Sequence, residues 1–180
     1  MKRKIFININ LAGQIRRRLA GSCAKWQAFP VKWTKEDNLH IELFFLGYVD
    51  NEVVLDICQK VAETVRDRAV FDLEFEKIIL VPNVESPQEF RVAAKPSEEL
   101  KNLCEAIEKK LEIFVVSKKV FSPHITLGKI RKEKWKELEK KPLVDEKASF
   151  AVSVDTVDIM ASHFSERKNS FVLIESCPLK

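Results

Sequence analysis

Two segments in different halves of the chain are built on one pattern. Leu39-His40-Ile41-Glu42-Leu43 and Pro123-His124-Ile125-Thr126-Leu127 both read His-Ile-x-Leu, with apolar and polar residues in alternation. A period of two is the signature of a half-buried strand, whose successive side chains point to opposite faces. In the first segment Leu39, Ile41, Leu43 and Phe45 therefore face a core, while His40 and Glu42 face away together. In the second, Pro123, Ile125 and Leu127 take the core side and His124 and Thr126 the other. A chain carrying such a strand in each half reads as a loose duplication.

The rest of the pattern fixes the class. Lys4 to Ile9 alternates as a strand, and Leu11, Ile15 and Leu19 recur at helical spacing on a segment that carries Arg16, Arg17 and Arg18. The first histidine segment predicts a strand over Leu39 to Leu46, closed by Gly47. After Asp50, the spacing of Val54, Ile57, Cys58, Val61, Ala62 and Val65 predicts an amphipathic helix. Phe71 to Phe75 reads as a strand that continues into Ile78 to Val81, Pro82 and Pro87 bracket a loop, and Phe90 to Ala94 is a further strand. Ser97 before Glu98 and Glu99 is a helix start, and Leu100, Leu103, Cys104, Ile107 and Leu111 are its apolar face. Strands are expected at Ser122 to Ile130, Phe150 to Ile159 and Phe171 to Ile174, with a short charged helix over Lys132 to Lys140. Glycine occurs only 4 times, and no Gly-rich loop follows a strand, which excludes Rossmann and P-loop nucleotide sites. The expected class is α+β with mainly antiparallel sheets.

Composition narrows the setting. With 46% hydrophobic and 32% charged residues the chain is an ordinary globular protein. A net charge of +4 is compatible with a polyanionic ligand without requiring one. Cys23, Cys58, Cys104 and Cys177 lack metal-ligand spacing, so neither a zinc site nor a disulfide framework is expected, and a reducing compartment is. No run approaches the roughly 20 apolar residues that span a bilayer. The basic start Met1-Lys2-Arg3-Lys4 leads into too short an apolar run for a signal peptide. The expectation is a cytoplasmic protein with no membrane contact.

Two imidazoles facing one another across a cleft, each with a polar neighbour two residues on, suit displacement at phosphorus. That chemistry needs a base to deprotonate the nucleophile and an acid to protonate the leaving oxygen. Histidine, with an ordinary pKa near 6.5, fills either role, each worth about 10²–10⁴-fold. A hydroxyl such as that of Thr126 donates to the phosphoryl oxygens as charge builds there. His163 has no repeated partner and is expected at the surface.

At these residues the sequence resembles the 2H phosphoesterase superfamily, in particular the RNA 2',3'-cyclic phosphodiesterases, also called 2'-5' RNA ligases. His124-Ile125-Thr126-Leu127, after Phe121-Ser122-Pro123, is similar to the second of the two His-x-Thr/Ser-x motifs of that family. Asn38-Leu39-His40-Ile41, between Lys32-Trp33 and Phe45-Leu46-Gly47, resembles the surroundings of the first. The resemblance implies a single domain over residues 1–180 made of two pseudo-symmetric lobes, with two mainly antiparallel sheets lining a central cleft and helices outside. It implies an activity without metal or cofactor on RNA ends or nucleotides that carry a 2',3'-cyclic phosphate; a monomer is expected. His40 would then protonate the leaving ribose oxygen, and His124 would activate water to leave a 2'-phosphate.

The chain departs from the family at two places. Glu42 stands where Thr or Ser is usual. A carboxylate repels a phosphate, by about 3 kcal/mol at about 5 Å and an effective dielectric of about 20, yet it also favours an imidazolium beside it. Reduced activity, a substrate that offers Glu42 a donor, and a side chain turned away are the three alternatives. Lys129 stands where the family often has an Arg, keeping the charge without the bidentate fork. Strict alternation sends Lys129 coreward, which makes Arg131 a candidate substitute. Arg16-Arg17-Arg18 covers most of a helix circumference and reads as solvated. Phe44, on the predicted face of His40, and Trp33 are candidates to stack on a base; Trp33 is equally a candidate core residue. An RNA- or nucleotide-binding module with a weakened site is the alternative to an enzyme.

Overall fold

The computed structural model describes residues 2–112, 122–165 and 168–180; the side chains of 163–170 lie outside that description, and with them the expected surface position of His163. Among the described residues nine strands form one antiparallel ladder. They are β1 (Lys2–Asn10), β2 (Val31–Trp33), β3 (His40–Asp50), β4 (Phe71–Val81), β5 (Glu89–Ala94), β6 (His124–Ile130), β7 (Asp145–Val154), β8 (Thr156–Ser165) and β9 (Lys168–Pro178). Their order is β7-β4-β5-β6-β3-β1-β8-β9, with β2 also on β6. The two sheets expected from the sequence are two halves of this ladder, joined between β3 and β6 by the single pair Ile41↔Ile125.

The helices among these residues are α1 (Gly13–Ser22), α2 (Asn51–Val65), α3 (Glu98–Lys110) and α4 (Lys132–Lys136). The apolar stripe of α2 buries Ile57, Cys58, Val61 and Val65 and packs on β3, β8, β9 and α3. Ser97 caps α3, its hydroxyl accepting from the Leu100 amide at 3.1 Å. All four thiols are buried, and burial, with nearby carboxylates, pushes Cys23 up to about 11 and Cys104 up to about 12.

Two elements differ from expectation. The helix expected over Lys132 to Lys140 stops at Lys136; Trp135 is its one fully buried anchor, and in the following Glu-Leu-Glu-Lys run only Leu138 packs, half-buried, on the core. The strand expected over Phe150 to Ile159 is two strands that part at Asp155. β7 pairs with β4 in one half and β8 with β1 in the other, so this stretch carries the chain from one edge of the ladder across to the second half.

Between β5 and β2 lies a compact aromatic group. The Phe90 ring, fully buried, sits 5.4 Å from Trp26 and 5.0 Å from Trp33. Gly128 pairs with both Phe90 and Trp33, and a Cβ there would lie 2.6 Å from Val31 Cγ1 and 3.0 Å from the Trp33 ring. Trp33 accordingly packs half-buried against the core, and glycine is what lets β2 approach β6 this closely.

No helix among the described residues is long and apolar enough to cross a membrane.

Candidate active site

β3 and β6 both begin at a histidine, and each histidine precedes a fully buried isoleucine. Cross-strand partners share a face, so the pairing of Ile41 with Ile125 puts His40, Glu42, His124 and Thr126 together on the opposite face. Continuing that register by one residue each way sets His40 across from Thr126 and Glu42 across from His124. The two histidines are then diagonal neighbours, with backbones about 7–8 Å apart.

Both imidazoles are held alike. His40 Nδ1 lies 2.7 Å from the Asn38 carbonyl and His124 Nδ1 lies 2.6 Å from the Ser122 carbonyl. A carbonyl only accepts, so each Nδ1 carries a proton and each Nε2 is the atom left for chemistry. The 3₁₀ turn Glu36–Asn38 supplies the first carbonyl, and the extended Ser122-Pro123 step supplies the second. Burial holds His124 below the ordinary imidazole value, with the Arg91 charge adding to it. The bond to Ser122 and the carboxylates of Glu89 and Glu42 pull the other way. His124 is therefore neutral at pH 7, with its Nε2 lone pair ready to accept a proton.

Strand bulges decide which neighbours join the histidines. On β6 the register against β5 shifts at Leu127, so Leu127 and Gly128 both stand opposite buried Phe90. The alternation resets, and Lys129, which strict alternation would turn coreward, stands across from Glu89 with an exposed side chain on the face of Thr126. On β3 the register against β1 shifts at Leu43 and again at Leu46. Phe44 consequently pairs with buried Ile7 and packs on the core, not beside His40 as alternation predicted. Phe45, 40% exposed, takes the outer face, its ring 5.1 Å from Phe6. Phe171 meets Phe6 edge-on at 5.4 Å and His40 edge-on at 5.6 Å, so Phe6, Phe45 and Phe171 are the apolar surface beside the site.

Thr126 and Glu42 both lie on the expected face. The Thr126 hydroxyl donates to Glu89 Oε2 at 2.8 Å, and Arg91 Nη2 donates to Glu89 Oε1 at 2.6 Å. Arg91 is the register partner of Thr126. Neither Glu89 nor Arg91 was singled out from the sequence, although Arg91 between buried Phe90 and Val92 must point to the opposite face. Arg16 also departs from a purely solvated triplet. It is half-buried, with Nη1 donating to Asn10 Oδ1 at 3.2 Å, and Asn10 is the register partner of His40. Arg17 and Arg18 are exposed, as is Arg131 where the chain leaves β6. Among the described residues no group of three or more His, Cys, Asp or Glu is arranged to hold a metal ion.

The model of the 2'-5' RNA ligase superfamily matches residues 15–164. The chain is 26% identical over 140 residues to an RNA 2',3'-cyclic phosphodiesterase of Thermotoga maritima, covering 75% of each chain. It is 26% identical over 132 residues to an RNA 2',3'-cyclic phosphodiesterase of Archaeoglobus fulgidus, covering 72% of this chain and 74% of the other. Among solved structures, TT0787 of Thermus thermophilus superposes with a TM-score of 0.84 at 21% identity, covering 98% of this chain and 97% of that one. LigT of E. coli, complexed with 3'-AMP, superposes with a TM-score of 0.80 at 20% identity, covering 99% of each. These structures share the fold.

Proposed function

The chain belongs to the 2'-5' RNA ligase superfamily, and from that membership and the histidine geometry we propose that it hydrolyses 2',3'-cyclic phosphates on RNA ends or nucleotides to 2'-phosphates without a metal. The observation that carries the reading is the pair of imidazoles on one face, each with Nδ1 pinned to a carbonyl and Nε2 free. The curated relatives named RNA 2',3'-cyclic phosphodiesterase support the substrate class. His124 Nε2 takes a proton from water, whose oxygen bonds to phosphorus. The bond from phosphorus to the ribose 3' oxygen breaks, and protonated His40 gives its proton to that oxygen. Nδ1 of His40 donates to Asn38 in either charge state, so the same anchor serves before and after transfer. The Phe6, Phe45 and Phe171 surface offers a base an apolar contact.

Glu42 across from His124, and Glu89 on Thr126, favour a second reading: a module that binds nucleotides or RNA and turns them over poorly. The two readings separate on the chelator-treated protein with a nucleoside 2',3'-cyclic phosphate. The proposal expects turnover, and binding without turnover would sink it. Within the proposal, Glu42→Thr restores a donor and removes a charge, so kcat/KM rises by about tenfold, Glu42 being solvent-exposed and its roughly 3 kcal/mol repulsion partly screened. Unchanged kinetics in Glu42→Thr would refute the repulsion argument.

A further inference from the structure

The two groups best placed to receive a phosphate are already engaged by one residue. Glu89 accepts from the Thr126 hydroxyl with one carboxylate oxygen, at 2.8 Å, and from Arg91 with the other, at 2.6 Å. A hydroxyl has one proton, so while Thr126 donates to Glu89 it cannot donate to a phosphoryl oxygen. Arg91 Nε is buried and has no acceptor at all, a donor of the same guanidinium left over after Nη2 has bonded. Lys129, a further cation on this face, stands across from Glu89. The carboxylate thus presents two oxygens to Thr126 and Arg91 as two phosphoryl oxygens would. Although burial works against its charge, the bonds from Arg91 and Thr126 hold Glu89 below the usual carboxylate range. It is a full anion at neutral pH.

We propose that Glu89 is a charge filter, a resident anion on the phosphate donors that must yield to the ligand and that admits a singly charged phosphodiester in preference to a doubly charged monoester. The inference rests on the reading of this face as a phosphate site. Once displaced, Glu89 remains within a few ångströms, and the repulsion it exerts scales with ligand charge. A cyclic phosphate carries one negative charge, while a 2'-phosphate above about pH 7.5 carries two, its second pKa being about 6. The filter therefore acts against the product of the proposed reaction more than against its substrate. It keeps the site from being held by what it makes.

Linearity in charge gives a sharp test. The probes are cyclic 3',5'-AMP, a singly charged diester, and adenosine 2'-phosphate, a doubly charged monoester at about pH 8. Their binding is measured calorimetrically to the unaltered protein and to Glu89→Gln. Removing the charge strengthens the diester by some factor and the monoester by about the square of it, on the order of threefold and tenfold. Glu89→Asp keeps the charge but shortens the reach, so it retains the unaltered protein's preference between the probes. If Glu89→Gln does not fold, Glu89→Ala makes the same comparison. Equal factors for both probes, or weaker binding of both in the charge-removed variant, would overturn the filter and leave Glu89 a structural brace. These readouts need no turnover. Absence of catalysis on 2',3'-cyclic phosphates would refute the proposed function while a squared ratio still upheld the filter.

Discussion

Replacing His124 with alanine is expected to lower kcat/KM on a nucleoside 2',3'-cyclic phosphate by about 10²–10⁴-fold, and replacing His40 by a similar factor. Each ring has its Nδ1 committed to a backbone carbonyl, so neither can serve from the other's place. The double variant should be little worse than either single one, because in the proposed mechanism the two act on a single proton-coupled displacement. The pH profile distinguishes them. As the proposed base, His124 must be neutral, so activity is expected to fall as pH drops through the pKa of that ring, which burial holds below 6.5. Arg91 adds to that depression while Glu42 opposes it. Arg91→Ala should move the acidic limb to higher pH, and Glu42→Gln should move it lower. Limbs that shift the other way, or stay fixed, would mean that His124 is not the base.

The second large effect falls on stability. Phe90→Ala is expected to cost about 3–5 kcal/mol, since it removes a fully buried ring from between Trp26 and Trp33. In a chain of this length that lowers the melting midpoint by about 10 °C. Phe90 also fixes the strand whose adjacent residues, Glu89 and Arg91, hold Thr126. Affinity for phosphate ligands should therefore change in the variant even where it remains folded. Urea unfolding measures the cost, and a loss below about 1 kcal/mol would show that the aromatic group is not close-packed.

The sequence carried the site because strand alternation is a local rule and both histidines sit where it holds. Ile41 and Ile125 bury as expected, and His40, Glu42, His124 and Thr126 share the opposite face. The rule failed one bulge further along. Nothing in the identity of Leu43, Leu46 and Leu127 says that each is an extra residue in a ladder. Their effect was to turn Phe44 inward, put Phe45 outside and return Lys129 to the site face. A hint was present in Gly47 and Gly128, each next to a bulge, since glycine within a strand often marks one; Gly47 has a φ of 76° that other residues rarely adopt. Arg91 and Glu89 come from a strand far from both motifs, and only the pairing of β5 with β6 makes them neighbours of Thr126. The division of the expected Phe150 to Ile159 strand at Asp155 was likewise set by tertiary pairing, because both pieces have strand periodicity.

In the proposed mechanism His124 and His40 work as base and acid across one phosphorus atom, with the ribose 3' oxygen leaving. Phosphorus NMR of the products from a chelator-treated reaction on a nucleoside 2',3'-cyclic phosphate shows which ester bond breaks and whether a metal is needed. The expected product is the 2'-phosphate alone, formed at the same rate with and without chelator. A 3'-phosphate product, or turnover that stops when metal is removed, would contradict it.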